Sequence, residues 1–427
     1  MSERSNDSSC LHGTKRKFVE KEESLYTVLN FDRHEPIDRE YFDGEALIRE
    51  LQRDPDAARR LYDFPCGSTF NHTYPLHQAV TLGASLDVVK ALYRTYPDAI
   101  KMKEEDKYTA CHLACEYNPS LEVLSFLLDM WPEATSSVSS FGNTLLHSAC
   151  EWNTSAALIK WLLYKYPDAA CKQNNIGLIP INWLFYREVP LDLDFELIKS
   201  FVDVRPESTK LKDHNGWTIL HYASAALGDL DVPFEAFALI LEKNPDAARA
   251  RDNKGKLPLH HACHCDTSLQ VVALLLDEYP DAIKMITCFI ETPLHIAVQH
   301  HAPTEVIAFL LEKWPDAVLM MDYESKTPFS IAKMHTSVDI KAMVSGVYYI
   351  CHRELESPIE MGIIQVFVRI NWIGGVVIII NRHPDVARKL QIVDPVIPTL
   401  LTFIGRRCNI GAMWGLIRNR QDLMSDL

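Results

Sequence analysis

One short phrase governs what this chain can become: a proline or small residue followed by Leu-His-x-Ala, written eight times between residues 75 and 333. It stands around His77, His112, His147, His221, His260 and His295, with worn copies at Asn182 and Ser330. The steps between these positions are 35, 35, 35, 39, 39, 35 and 35 residues. A fixed period of this size is the mark of a stacked array, in which each unit buries its apolar face only against its neighbours. A second phrase, aromatic-Pro-acid-Ala, keeps time with the first. Its prolines, Pro97, Pro132, Pro167, Pro280 and Pro315, each stand 20 residues beyond a His. In the two longer steps the gap is 24, ending at Pro206 and Pro245, so the extra residues lie inside the unit, around Pro190 and Gly228.

Between the two phrases the apolar residues recur with helical spacing. In Ser85 to Tyr93 they are Val88, Val89 and Leu92, and Ser120 to Leu128 and Ser268 to Leu276 repeat the pattern. Ser85, Ser120 and Ser268 stand where an N-cap oxygen takes the first unpaired amides. The proline phrase stops this helix, because proline lacks an N–H and restricts the residue before it. Asx-Gly runs follow at Asn174 to Gly177, Asp213 to Gly216 and Asp252 to Gly255, and read as turns. Pro75, Pro180, Pro258, Pro293 and Pro328 fall at the opening of the next helix, where a missing N–H costs little. Each unit is therefore turn, short helix, loop, longer helix.

The run D-x-x-G-x-T-P-L-H-x-A and its degenerate forms, over roughly residues 71–345, resemble the ankyrin repeat. The aromatic-Pro-Asp-Ala ending departs from the usual Gly-Ala-Asp and is similar to large ankyrin families of some microalgae. The resemblance implies an all-α fold, an ankyrin-repeat solenoid of helix-turn-helix units with turn or hairpin connections. It also implies that the repeated His and Thr bond the turn and tie neighbouring units. His77, His112, His147, His221, His260 and His295 are accordingly expected to be structural. Cys115, Cys150 and Cys263 share the face of the motif alanine and read as small core residues.

The ends differ from the array. Residues 1–24 are polar, without an apolar secretory core, and are expected to be disordered. Residues 25–70 contain Asp54-Pro55-Asp56-Ala57, the ending of a unit without its first half, and read as an N-terminal cap. Residues 71–345 hold about eight repeats, and 346–427 read as divergent helical repeats with a C-terminal cap. The apolar run 361–380 raises a membrane anchor as the alternative. Arg369 near its centre would cost roughly 2.5–3.5 kcal/mol there, and a buried helix pair bent at Gly374-Gly375 accounts for the same residues.

Charge and composition narrow the function. A formal charge of −14 argues against nucleic acid, whose phosphates need a basic face. Eleven scattered cysteines suit a reducing compartment, cytoplasmic or nuclear. No phosphate loop, nucleophile elbow or H-E-x-x-H helix is present, so the chain reads as a non-enzyme with no cofactor, no resident metal and no small-molecule substrate. His261, His264, Cys265, His300 and His301 are the one cluster with zinc-ligand chemistry, weighed against ordinary surface histidines.

The expected function is that of a non-catalytic scaffold binding a protein or peptide. In ankyrin proteins partners usually dock on the concave side, formed by turn tips and the exposed end of the first helix. Carried onto this chain, those positions are Tyr108, Glu116, Tyr117, Asn143, Glu151, Trp152, Tyr186, Trp217, Lys256, His264 and His300. Aromatic area beside Glu116 and Glu151 is hot-spot chemistry suited to a partner carrying basic residues. Packing of some of these aromatics into the helix loops is the competing reading.

Overall fold

The computed structural model describes residues 24–67, 69–104, 106–117, 120–152, 154–185, 194–226, 232–264, 268–335, 337–352 and 357–383. The N-terminal tail to residue 23, both insertion loops, Tyr186, Cys265 and everything from residue 384 lie outside these. The chain divides into two compact units, Met1–Ser140 and Phe141–Leu427.

In the first unit, α1 (Leu25–Leu29), α2 (Pro36–Glu40) and α3 (Gly44–Arg53) precede two full repeats. The Asp43 carboxylate starts α3 by accepting the amides of Glu45 and Ala46. The stretch read as half a unit has a five-residue first element after all, since α1 packs on both α3 and α4 (Pro75–Thr81). Between α3 and α4 runs an antiparallel hairpin, β1 (Tyr62–Cys66) and β2 (Thr69–Thr73), with Phe64 opposite Asn71. It is the sheet of an otherwise all-α fold among the described residues. The first repeat pairs α4 with α5 (Leu86–Thr95), and the second pairs α6 (Ala110–Glu116) with α7 (Leu121–Met130). Leu29, Leu47, Phe64, Leu76, Leu92, Leu113 and Leu124 form the core.

In the second unit the pairs continue as α8 (Leu145–Glu151) with α9 (Ala156–Lys165) and α10 (Asn182–Phe185) with α11 (Phe195–Val204). Next come α12 (Ile219–Ala225) with α13 (Phe234–Lys243) and α14 (Pro258–His264) with α15 (Leu269–Glu278). The series ends with α16 (Pro293–Gln299) and α17 (Thr304–Lys313), α18 (Pro328–His335) and α19 (Val338–His352), and α20 (Ser357–Arg369) and α21 (Ile373–Arg382). Short helices stack on short ones (α12, α14, α16, α18) and long on long (α13, α15, α17), giving two layers.

The proline phrase does more than end a helix. The aromatic before it leaves the helical region, Trp131 at φ −142° and ψ 79°, and the proline then opens a five-residue 3-10 turn such as Pro132–Ser136. That turn points its alanine inward, and Ala99, Ala134, Ala247, Ala282 and Ala317 are all buried. The phrase is thus a compact way back to the next turn. Of the three expected serine caps, Ser120 accepts the Val123 amide, whereas Ser85 and Ser268 stand at the cap position without that bond.

The apolar run 361–380 is two helices. It breaks at Asn371, whose φ is +64°, and not at the glycines, which lie in the first turn of α21. A Cβ on Gly374 would run into the carboxylate of Glu312, and one on Gly375 into Trp372 and Phe367. Ile364, Phe367, Val376 and Ile379 are buried, and α21 lies against α17 and α19. Among the described residues no helix is long and apolar enough to cross a membrane.

Candidate protein-interaction surface

Four turns of the second unit are each built by one carboxylate or amide, and a fifth by the Thr287 hydroxyl. Asp252 Oδ1 accepts the amides of Lys254 and Lys256, both at 2.8 Å, which closes the turn that Gly255 enters at φ +72°. Asp213, Asn174 and Asp322 repeat the arrangement with the residues two and four further on. Successive turns are laced together: the amides of Asn175, His214, Asn253, Cys288 and Tyr323 donate to the carbonyls of Phe141, Ile176, Asn215, Lys254 and Phe289.

The repeated histidines stitch each short helix to the following turn. Their Nδ1 accepts a backbone amide at the helix start, from Thr109 (3.4 Å), Thr144 (3.2 Å), Thr218 (3.1 Å), Leu257 (3.0 Å) and Thr292 (3.2 Å). An accepting Nδ1 leaves the proton on Nε2. Nε2 of His147, His221, His260 and His295 then donates to the carbonyls of Leu178, Lys256, Met285 and Lys326, at 2.9 to 3.3 Å. His77 does the same to Met102 at 3.1 Å. Burial pushes the pKa down, to about 4 at His147 and about 3 at His221 and His260, so these rings are neutral struts and not proton shuttles. Asn182 performs half of this task. Its Oδ1 accepts the Ile179 amide at 2.9 Å, but it makes no bond to the next turn among the described residues.

In the first unit the expected strip is already in use. Tyr108 sits edge-on to His112 with ring centres 5.7 Å apart. Tyr117, beside Glu116, lies under the guanidinium groups of Arg39 (4.9 Å) and Arg33 (5.8 Å), with His34 at 5.9 Å. Arg33 also pairs with Glu104 at 3.2 Å, both side chains being buried, and Asn71 donates to the same carboxylate. Gln78 holds the segment down through the carbonyls of Leu29 and Phe31. The chain's own Arg33, His34 and Arg39 therefore cover Tyr117, one of the positions expected to face a partner.

In the second unit the expected positions separate. Asn143, expected at a turn tip, is buried, donating to Glu151 and accepting from Asn174, both at 2.8 Å. Trp152 is 47% exposed at the end of α8. Trp217, Lys256 and His264 meet in one groove of about 400 Å³ between the fifth and sixth repeats, shared with Asn215, Ala225, Asp252, Asn253, Lys254 and His261. Trp217 is held from beneath by His261 (ring centres 4.4 Å) and Tyr222 (5.0 Å). Those two are anchored in turn, His261 Nε2 donating to Asp252 Oδ2 at 3.1 Å and the Tyr222 hydroxyl to Asp213 Oδ2 at 2.7 Å. His264 lies against exposed His300, with ring centres 3.8 Å apart and planes tilted by 36°.

The zinc reading meets this geometry poorly. His261 is 7% exposed and committed to Asp252, leaving His264 and His300 as a pair. Among the described residues no three His, Cys, Asp or Glu are placed to share a metal ion. The sequence reading had Asp252 in a turn and His261 in the zinc-type cluster and missed the bond between them, although a signal was available: in both the fifth and sixth repeats the turn aspartate is followed nine residues later by a hydrogen-bonding ring, Tyr222 or His261.

A family model described as ankyrin repeats (3 copies) matches the chain over residues 54–175 and 192–286. No curated protein matches it.

Proposed function

This chain belongs to the ankyrin-repeat family, and from that premise we propose that it is a non-catalytic scaffold which captures a protein or peptide on the turn and short-helix side of its second unit. The observation that carries the reading is the groove around Trp217. Its indole is fixed by two rings that are themselves fixed by buried carboxylates, so the platform is ordered before anything binds. Large, rigid aromatic area flanked by polar groups is the chemistry of an interface anchor. Exposed Trp152 offers a second anchor in the same unit. In this reading residues 71–345 are the working array, with 25–70 and 346–427 as its ends, and the protein acts in a reducing compartment, cytoplasmic or nuclear.

The test is proximity labelling in the native cell, comparing the full chain with the Trp152→Ala/Trp217→Ala variant. A discrete set of proteins lost only in the variant supports the reading, provided that the variant keeps its helical circular dichroism and melting temperature. An unchanged set moves the interface elsewhere.

A further inference from the structure

The groove reverses the charge expected of the partner. Among the described residues the two carboxylates at the groove face inward: Asp252 is spent on two turn amides and His261, and Asp213 on two amides and Tyr222, while Glu291, on the far side of His300, takes the Thr287 hydroxyl. The outward groups are cationic or can become so. Lys254 is exposed and Lys256 half-buried, and neither has a carboxylate within 4 Å among the described residues. In a chain of net charge −14, two lysines of one turn with no carboxylate within 4 Å among the described residues, beside a fixed tryptophan, give this rim a locally basic character.

Resting on the proposed scaffold function, we propose that this groove takes an acidic segment of the partner protein, its carboxylates met by Lys254, Lys256 and the His264–His300 pair and a neighbouring apolar side chain laid on Trp217. The volume, about 400 Å³, suits one or two side chains of such a segment. Nucleic acid, the other polyanion, needs a run of phosphate contacts along an extended basic face, and this groove offers two lysines and a histidine pair.

The histidine pair adds a pH dependence. Desolvation, then His300, then Lys256 and His261 hold His264 down to about 4. His300 is lowered by burial, Lys256 and His301, with Glu291 opposing. A bound carboxylate would raise both, so binding takes up protons and tightens as pH falls from 7.5 to 5.5, where peptide carboxylates are still ionised.

The experiment titrates the full chain with three fluorescent nine-residue peptides sharing a central Phe, flanked by Glu, Gln or Lys, and with a short single-stranded oligonucleotide. The expected result is at least tenfold tighter binding of the Glu peptide than of the Gln peptide, stronger at pH 5.5. The Lys254→Glu/Lys256→Glu variant should lose that preference and gain affinity for the Lys peptide, and His264→Asn/His300→Asn should flatten the pH profile. Equal binding of the Glu and Gln peptides, a preference unmoved by charge reversal, or a preference for the oligonucleotide overturns the inference. So does binding of none of the probes. In each of those cases, loss of the labelled set in the Trp152→Ala/Trp217→Ala cells leaves the scaffold reading standing, and an unchanged set removes it as well.

Discussion

Arg33 and Glu104, 71 residues apart, form an ion pair at 3.2 Å with both side chains almost wholly buried. This pair turns residues 29–39 into an internal occupant of the first unit, with Arg33 and Arg39 over Tyr117. Arg33→Ala leaves the Glu104 carboxylate in place with only Asn71 as partner. Stranding a buried charge costs about 3–5 kcal/mol. The expected outcome is faster hydrogen exchange across residues 29–40 and an earlier urea transition in the first unit. The double change Arg33→Met/Glu104→Leu should recover most of the loss, since it strands no charge.

The ladder of buried histidines gives the fold an acid limit. His77, His147, His221, His260 and His295 all have pKa values lowered by burial, to about 4 or 3 where the shift is largest. The unfolded chain titrates near 6.5, so between the two values it holds more protons than the folded chain, and stability rises with pH there. The contribution is complete above about pH 6.5 and is lost as pH falls toward the folded values. Each ring costs about 1.4 kcal/mol per pH unit inside its window. Melting temperature should be level above pH 7 and fall steeply from pH 6 to 4; a level curve over that range would contradict the neutral-strut assignment.

Asn182 is the weak stitch. A histidine there can keep the Ile179 amide on Nδ1 and bring Nε2 toward the following turn, as its counterparts do. One added hydrogen bond of this kind contributes about 0.5–1.5 kcal/mol. Asn182→His is expected to raise the urea midpoint by a corresponding amount, and a lower midpoint would show that the fourth repeat is built around asparagine.

Three non-glycine residues in the turns, Lys107, Ile290 and Ser325, hold positive φ, and the β-branched one is the most strained. From the second repeat to the eighth, the position five before the His or its equivalent has positive φ, and glycine fills it at Gly142, Gly177, Gly216 and Gly255. In the seventh repeat Ile290 takes φ +59°, a conformation in which a β-branched side chain crowds its own backbone. Ile290→Gly relieves about 1 kcal/mol of that strain, and Ile290 is 41% exposed, so little packing is lost. The variant should melt higher; a lower melting point would mean that the exposed isoleucine contributes packing that outweighs its strain.

By itself the sequence determined the period, the helix pairs, the turns, the positions of the histidine struts and the family, because all of these are local. A 3.6-residue apolar stripe, an Asx-Gly turn and a proline stop act over a few residues, and repetition multiplies the signal. Tertiary structure decided the site, because the site depends on pairs far apart in the chain. Nothing near Tyr117 announces that Arg33 and Arg39 will cover it, and nothing near Asn143 announces that Asn174 will bury it. The same is true of Trp217 and His261, which stand 44 positions apart in sequence and 4.4 Å apart in space. Which face remains open, and what sign of charge it presents, is settled by how such pairs neutralise one another, and that sum is taken only when the turns have stacked.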